Sequence, residues 1–128
     1  MNASELSVLV VDTDPHMCEI VKLILEFYGI PVCAALGADA ALEHLQCHKA
    51  SLIIIELYSM EMDGYRLLSQ IRAGGLAPGS KVIATSVHYS DQLARETLNS
   101  GFDGYLPKPF DVGEFVPYLR RIADWDQG

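Results

Sequence analysis

Short unbroken apolar runs alternate along this chain with longer segments whose apolar residues recur every three or four positions. LSVLVV at 6–11, SLIII at 51–55 and KVIAT at 81–85 have strand length, and PVCAA at 31–35 and GYL at 104–106 are weaker runs of the same kind. The segments between them predict helices. Asp14-Pro15 reads as a helix cap followed by proline at the first helical position. Met17, Ile20, Val21, Ile24 and Phe27 then predict an inward face closed at Gly29. ADAALEHLQCHK at 38–49 predicts a helix resting on Ala41, Leu42 and Leu45, and GYRLLSQIR at 64–72 predicts another, broken by AGGLAPG at 73–79. SDQLARETLNSG at 90–101 supplies a cap, a helical body and a glycine stop. DVGEFVPYLRRIA at 111–123 predicts a last helix with Val112, Phe115, Val116, Leu119 and Ile122 inward, and Pro117 is expected to kink it.

Strand and helix thus alternate along the whole chain. The runs at 6–11, 51–55 and 81–85 are apolar on both faces, so helices must cover both sides of a parallel sheet. Such sheets place ligands beyond the carboxyl ends of their strands. Those ends carry Asp12, Glu56, Ser86 and the loop with Lys108. Glu56 stands out, because a carboxylate ending a buried strand is costly unless it is paired.

Charge and composition narrow the functions available. The 128 residues carry a net charge of −8, which repels phosphate backbones and anionic membrane surfaces. No apolar run approaches the ~20 residues of a membrane span, and MNASELS lacks the basic and apolar regions of a signal peptide. Cys18, Cys33 and Cys47 form no CxxC pair and are expected to be reduced packing residues in a cytoplasmic protein. His44, Cys47 and His48 share one helix, a poor tetrahedral set, and are expected on a solvated or half-buried helix face. His88 is expected on a loop surface. AGGLAPG follows a helix and precedes a strand, the wrong polarity for a phosphate-cradling loop. No Ser-His-Asp order or HExxH is present, so no hydrolase or other enzyme chemistry is expected.

Four pieces in order, VLVVDTDP, IIIELYSMEMDGYRLL, KVIATSVH and SGFDGYLPKPF, resemble the response-regulator receiver domain over nearly the whole chain. The resemblance implies a flavodoxin-like (βα)5 three-layer sandwich with parallel strand order 2-1-3-4-5. It also implies a site in which Mg²⁺ held by acidic side chains brings a phosphoryl donor to an aspartate. A lysine and a hydroxyl then hold the phosphoryl oxygens, and an aromatic residue on the fifth strand follows the hydroxyl inward.

Carried over residue by residue, the resemblance places Asp12 as the first acid, Ser86 as the switch hydroxyl, Tyr105 as the switch aromatic and Lys108 as the phosphate-contacting lysine, joined to Pro109 by a cis bond. Asp63-Gly64 also match. Thr13 stands where a second acid, a direct metal ligand, is usual, and Glu56 stands where the phosphorylated Asp is usual. Met60, Val87 and Pro107 are further departures. Glutamate extends aspartate by one methylene, up to ~1.5 Å, and an ångström of misplacement costs about a hundredfold in catalysis. The expected acidic pocket is Asp12, Thr13 and Asp14. Asp14 is a candidate replacement metal ligand, although the helix-cap reading is favoured. Mg²⁺, if bound, would be held weakly by Asp12, Glu56 and the main-chain carbonyl of Tyr58; no other cofactor is expected.

The sequence therefore predicts a single receiver-like domain over 1–128, with no output domain, acting as a pseudo-receiver through protein–protein contacts. Its expected partners are a sensor histidine kinase or a downstream regulatory protein. A homodimer is an alternative, through a face at about 90–123 bearing Asp91, Arg95, Glu96, Tyr105, Tyr118, Arg120 and Arg121. Glu56 is expected to form an ion pair with Lys108, with a built-in mimic of the phosphorylated state as the alternative. A receiver still open to phosphorylation through an atypical site is a second reading. A flavodoxin-like cofactor carrier is a third, which finds no Ser/Thr/Gly cluster after Asp12 to cradle a flavin phosphate.

Overall fold

The computed structural model describes residues 6–123; residues 1–5 and 124–128 of the expected 1–128 domain lie outside them. Five strands and five helices alternate: β1 (Val8–Val11), α1 (Pro15–Phe27), β2 (Val32–Ala35), α2 (Ala38–Cys47), β3 (Leu52–Glu56), α3 (Gly64–Ala73), β4 (Lys81–Ser86), α4 (Asp91–Asn99), β5 (Gly104–Pro107) and α5 (Val112–Ala123). The strands form one parallel sheet in the order β2-β1-β3-β4-β5, as the resemblance implied.

Period-two alternation divides the sheet's side chains between two cores. Val8, Val10, Leu52, Ile54 and Ile83 pack with Cys18, Val21 and Leu25 of α1 and Phe115, Val116 and Leu119 of α5. Leu9, Val11, Ile53, Ile55 and Val82 pack with Leu45 of α2 and Leu67, Leu68 and Ile71 of α3. Each fully buried Leu or Ile contributes about 1.5–3 kcal/mol, so the central strands anchor the fold.

Local chemistry fixes the helix ends. The Asp14 side chain accepts from the His16 N–H, that of Asp63 from Tyr65 and Arg66, and that of Ser90 from Leu93. Helix α1 ends in a Schellman motif: Gly29, at φ 72°, donates to the Glu26 carbonyl and Ile30 to the Leu25 carbonyl, both at 3.0 Å. The AGGLAPG loop turns at the amino end of β4, where the Arg72 guanidinium holds the Ala77 and Ser80 carbonyls at 3.2 and 2.9 Å.

Several expectations are corrected. The sheet-facing residues of α1 are Cys18, Val21 and Leu25, while Ile20 is exposed and Phe27 is 84% exposed. Helix α1 carries apolar residues all round, so their spacing did not fix which side meets the sheet. Val112 is exposed because it opens the first turn of α5, before the helix reaches the sheet. Helix α2 stops at Cys47, since His48 takes an extended backbone. Helix α5 is a single element with Pro117 inside it, as predicted. Only Cys18 is a packing residue; Cys33 lies on the edge strand and Cys47 at the end of α2, and both are exposed.

Candidate functional site

The carboxyl ends of β1 and β3 and the loop after β5 bring Asp12, Glu56 and Lys108 together. Asp12 follows β1, where its N–H donates to the Ala35 carbonyl at 3.1 Å. Glu56 is the last residue of β3, in register with Thr85 of β4. Lys108 is fixed by its own N–H, which donates to the Ser86 carbonyl at 2.8 Å, and it precedes a cis peptide bond to Pro109 as expected. Its ammonium lies 2.7 Å from Asp12 Oδ2 and 2.8 Å from Glu56 Oε2. The three side chains are 7%, 4% and 14% exposed for Lys108, Asp12 and Glu56.

The remaining carboxylate oxygens are also engaged. Asp12 Oδ1 accepts from the Asp14 N–H at 2.9 Å. Glu56 Oε1 accepts from the Thr13 hydroxyl at 3.1 Å. Thr13 Oγ1 lies 2.7 Å from Ser59 Oγ, which in turn accepts from the Glu61 N–H at 3.1 Å. A hydroxyl has one proton to give. Thr13 spends its proton on Glu56, so Ser59 is the donor to Thr13, and a chain of donors runs from the β3–α3 loop onto the carboxylate. Thr13 and Glu56 therefore bond to each other. A second acid at position 13 would face Glu56 as a like charge.

Burial dominates the electrostatics. It raises the Asp12 carboxyl above its ordinary range despite the opposing pull of Lys108. Burial also pulls the Lys108 ammonium down, but the hydrogen bonds and charges of Asp12 and Glu56 outweigh it and hold the ammonium above its usual value. Burial pushes the Cys18 thiol, beside the Asp12 carbonyl, up to about 11, so it is an inert neighbour.

The donor set fits Mg²⁺ poorly. That ion demands near-octahedral oxygen ligands and is usually held through one or two carboxylates. Here every carboxylate oxygen already accepts a hydrogen bond, one ammonium bridges both groups, and Thr13 adds only a neutral hydroxyl. Among the described residues, no group of three or more His, Cys, Asp or Glu side chains is placed to hold a metal ion. Tyr58, whose carbonyl the resemblance implied as a ligand, begins the loop and forms an isolated antiparallel bridge with Asp63.

Asp14 does not belong to the pocket. Its side chain is exposed and turns back as the α1 cap, accepting from the His16 N–H at 2.9 Å, so only its main chain serves the site. Ser86 is buried at the end of β4, where its hydroxyl oxygen accepts from the His88 N–H at 3.0 Å; among the described residues no hydrogen bond joins it to Glu56. Tyr105 is buried, and its hydroxyl donates to the His88 carbonyl. His88 itself is exposed on its loop, as expected. Tyr105 and Tyr118 were expected among the groups of an outward face, but their rings turn inward. The Tyr118 hydroxyl accepts from the Tyr105 N–H at 2.7 Å. His44 and His48 stack at 4.5 Å without a third ligand.

Sequence reasoning missed Ser59, the hydrogen bond that Tyr118 accepts and the demand on Gly64. A Cβ at Gly64 would lie 2.4 Å from the Glu56 carbonyl oxygen, so only glycine lets α3 start against the end of β3. The Asp63 cap was findable, because aspartate before a helical pattern is a start signal. A cleft of about 820 Å³ opens beside the β3–α3 loop, lined by Tyr58, Met60, Met62 and Arg66; it lies next to the charged cluster rather than around it.

Comparison with known proteins agrees with this fold. The model of the response regulator receiver domain matches residues 8–120. A Leptolyngbya boryana protein described as an uncharacterized 14.6 kDa protein in the sodA1 3′ region is 30% identical over 120 residues, or 94% of this chain and 92% of that protein. The transcriptional regulatory protein ZraR of Escherichia coli K12 is 32% identical over 121 residues; the match covers 94% of this chain but 27% of ZraR, so the chain spans about a quarter of that relative. The solved receiver domain of the Francisella response regulator 1452 superposes with a TM-score of 0.83 at 28% identity, covering 94% of this chain and 98% of that one. Sequence and strand order thus agree, and the chain belongs to the response-regulator receiver domains of two-component signalling.

Proposed function

We propose that this receiver domain is a pseudo-receiver, in which a standing ion pair replaces the phosphoryl switch and protein–protein contacts carry the signal. Receiver domains are signalling modules rather than enzymes, and they engage histidine kinases and downstream effectors. The supporting observation is that both oxygens of Glu56, at the phosphoacceptor position, are already bound, one by Lys108 at 2.8 Å and one by Thr13 at 3.1 Å. The lysine that would contact a phosphoryl group is held between two carboxylates. Receiver domains commonly bind Mg²⁺ at this edge; here Mg²⁺ is expected to bind weakly, since the neutral Thr13 hydroxyl stands in place of a second acid.

The ion-pair reading is favoured over a built-in mimic. Glu56 offers one charge and two oxygens, against about two charges and three oxygens for a phosphoryl group, and it engages Lys108 without Ser86. The surface at about 90–123 then stays in one state. It presents exposed Arg95, Glu96 and Arg121 to a cytoplasmic partner, either a sensor kinase or a downstream regulatory protein. The test is intact-mass measurement after incubation with a small-molecule phosphodonor and Mg²⁺. No stable phosphoryl adduct is expected; a stoichiometric adduct mapped to Glu56 overturns the reading.

A further inference from the structure

The two edges of the sheet are finished differently. On β5 the outward main-chain positions are Tyr105 and Pro107. The Tyr105 N–H is taken by the Tyr118 hydroxyl at 2.7 Å, and Pro107 has no N–H, so neither outward position of this edge offers an N–H to a further strand. On β2 the Pro31 and Ala35 carbonyls accept from Val8 and Asp12 of the β1 side, at 3.0 and 3.1 Å. Strand alternation then turns Val32 and Ala34 outward. Among the described residues no hydrogen bond reaches their outward groups, and Cys33 and Ala34 are exposed. The usual protections of an edge strand, charged side chains, an internal proline or a bulge, are missing from β2.

We infer that the β2 edge is a self-association surface, on which a second copy of this chain adds its own β2 antiparallel to the first. Charge selects a second copy. The chain carries −8 overall, yet Ile30 to Ala38 contains no charged residue, so two copies meet here without opposing like charges. Symmetry selects the register. Outward residues must pair with outward residues, and a two-fold axis at Cys33 places Val32 of each copy opposite Ala34 of the other as hydrogen-bonded pairs. Cys33 then faces its own counterpart in the non-hydrogen-bonded position. Cα atoms in that position lie ~4.5 Å apart, within the ~4.4–6.8 Å that a disulfide spans. The contact is small, so the dimer is weak, and it is separate from the face at 90–123.

Cys33 provides the trap. With diamide as oxidant, two Cys33 thiols lose two protons and join as a disulfide, while diamide takes the two electrons. Cross-linking is followed by non-reducing electrophoresis over a range of protein concentrations, and association without oxidant by sedimentation equilibrium. The expected result is a disulfide dimer that Cys33→Ser abolishes and Cys47→Ser leaves intact, although both thiols are exposed. Ala34→Pro removes one outward N–H, and Ala34→Lys places a charge on the edge. Each should weaken association on the order of tenfold, with an unchanged far-UV spectrum and melting temperature showing that the monomer is intact. The inference is overturned if Cys33 and Cys47 cross-link at similar rates. It is equally overturned if sedimentation shows no concentration-dependent dimer, or if a folded Ala34 variant associates as well as the wild type.

Discussion

Replacing Thr13 by Asp tests directly whether this site is built around the contact between Thr13 and Glu56. Thr13 Oγ1 lies 3.1 Å from Glu56 Oε1 and donates to it. The substitution removes that donor and sets a second carboxylate against the first. Two like charges ~4 Å apart repel by about 4 kcal/mol at an effective dielectric of ~20. Thr13 is half-buried and the Lys108 ammonium is close, so solvent and Lys108 offset much of this. The lost hydrogen bond to a charged acceptor adds roughly 1.5–3 kcal/mol. A net loss of about 2–4 kcal/mol at pH 7 follows once the repulsion is discounted for screening. In a Glu56→Gln background the repulsion is gone and the new carboxylate can pair with Lys108, so the same substitution should cost under ~1 kcal/mol, a coupling of about 2 kcal/mol within the range seen for contacting residues. The pH dependence has a definite sign. Two facing carboxyls raise each other's folded-state pKa. Below the ordinary carboxylate range of about 4 only the lost hydrogen bond should separate the variant from the wild type, and the gap should widen as pH rises through the raised values. Urea unfolding in EDTA, at pH 4.5 and pH 7, measures both effects. A loss at pH 7 that is the same with Glu56 as with the Glu56→Gln background would refute the coupling.

Three further outcomes are expected. Glu56→Asp alone should restore phosphodonor labelling poorly, whereas Glu56→Asp with Thr13→Asp should do clearly better; full labelling of the single variant, read by intact mass, would show that Thr13 is not the defect. Lys108→Met leaves two buried carboxylates without their cation and should cost about 3–5 kcal/mol near pH 7. Because the Lys108 pKa is raised, its stabilisation is present throughout the range below about 10.4 and is lost above it. The deficit of the variant should narrow in acid, as the stranded carboxyls take up protons, and a deficit independent of pH contradicts the assignment. Tyr118→Phe removes the acceptor for the Tyr105 N–H at the β5 edge and should cost roughly 1–3 kcal/mol in chemical denaturation; an unchanged midpoint would mean that water satisfies this N–H equally well.

The strand–helix alternation was legible because doubly apolar runs such as SLIII can only sit inside a covered parallel sheet. The convergence of Asp12, Glu56 and Lys108 followed, since strand ends in such a sheet share one edge. The bond between Thr13 and Glu56 was not legible. Their departures from the family pattern could be read one at a time, but that one hydroxyl donates to the other's carboxylate depends on side-chain reach across two strands. The facing of α1 was hidden for a different reason: Met17, Cys18, Ile20, Val21, Leu23, Ile24, Leu25 and Phe27 satisfy more than one helical stripe. Tyr105 and Tyr118 misled because tyrosine is amphipathic. The sequence marked both as contact residues for a partner, whereas the fold uses one hydroxyl to hold the His88 carbonyl and the other to finish the β5 edge.

These two tyrosines also bear on how the charged cluster and the output face are joined. Tyr105 is held at its hydroxyl by His88 and at its N–H by Tyr118, and neither partner touches Glu56. Ser86 meets His88 through its side chain and Lys108 through its carbonyl, the latter at 2.8 Å. The main chain of Lys108 is therefore a link between the acidic edge and β4 beside the pairing of Glu56 with Thr85, and its ammonium is pinned by two carboxylates at 2.7 and 2.8 Å. A switch needs two arrangements that differ by only a few kcal/mol and a ligand that prefers one. Separating this lysine from either carboxylate leaves a buried charge unpaired, at a cost of roughly 3–5 kcal/mol before any new contact forms. On the pseudo-receiver proposal, Glu56 and Thr13 raise the energy of any arrangement that frees Lys108, and the face at 90–123 is expected to stay in one state.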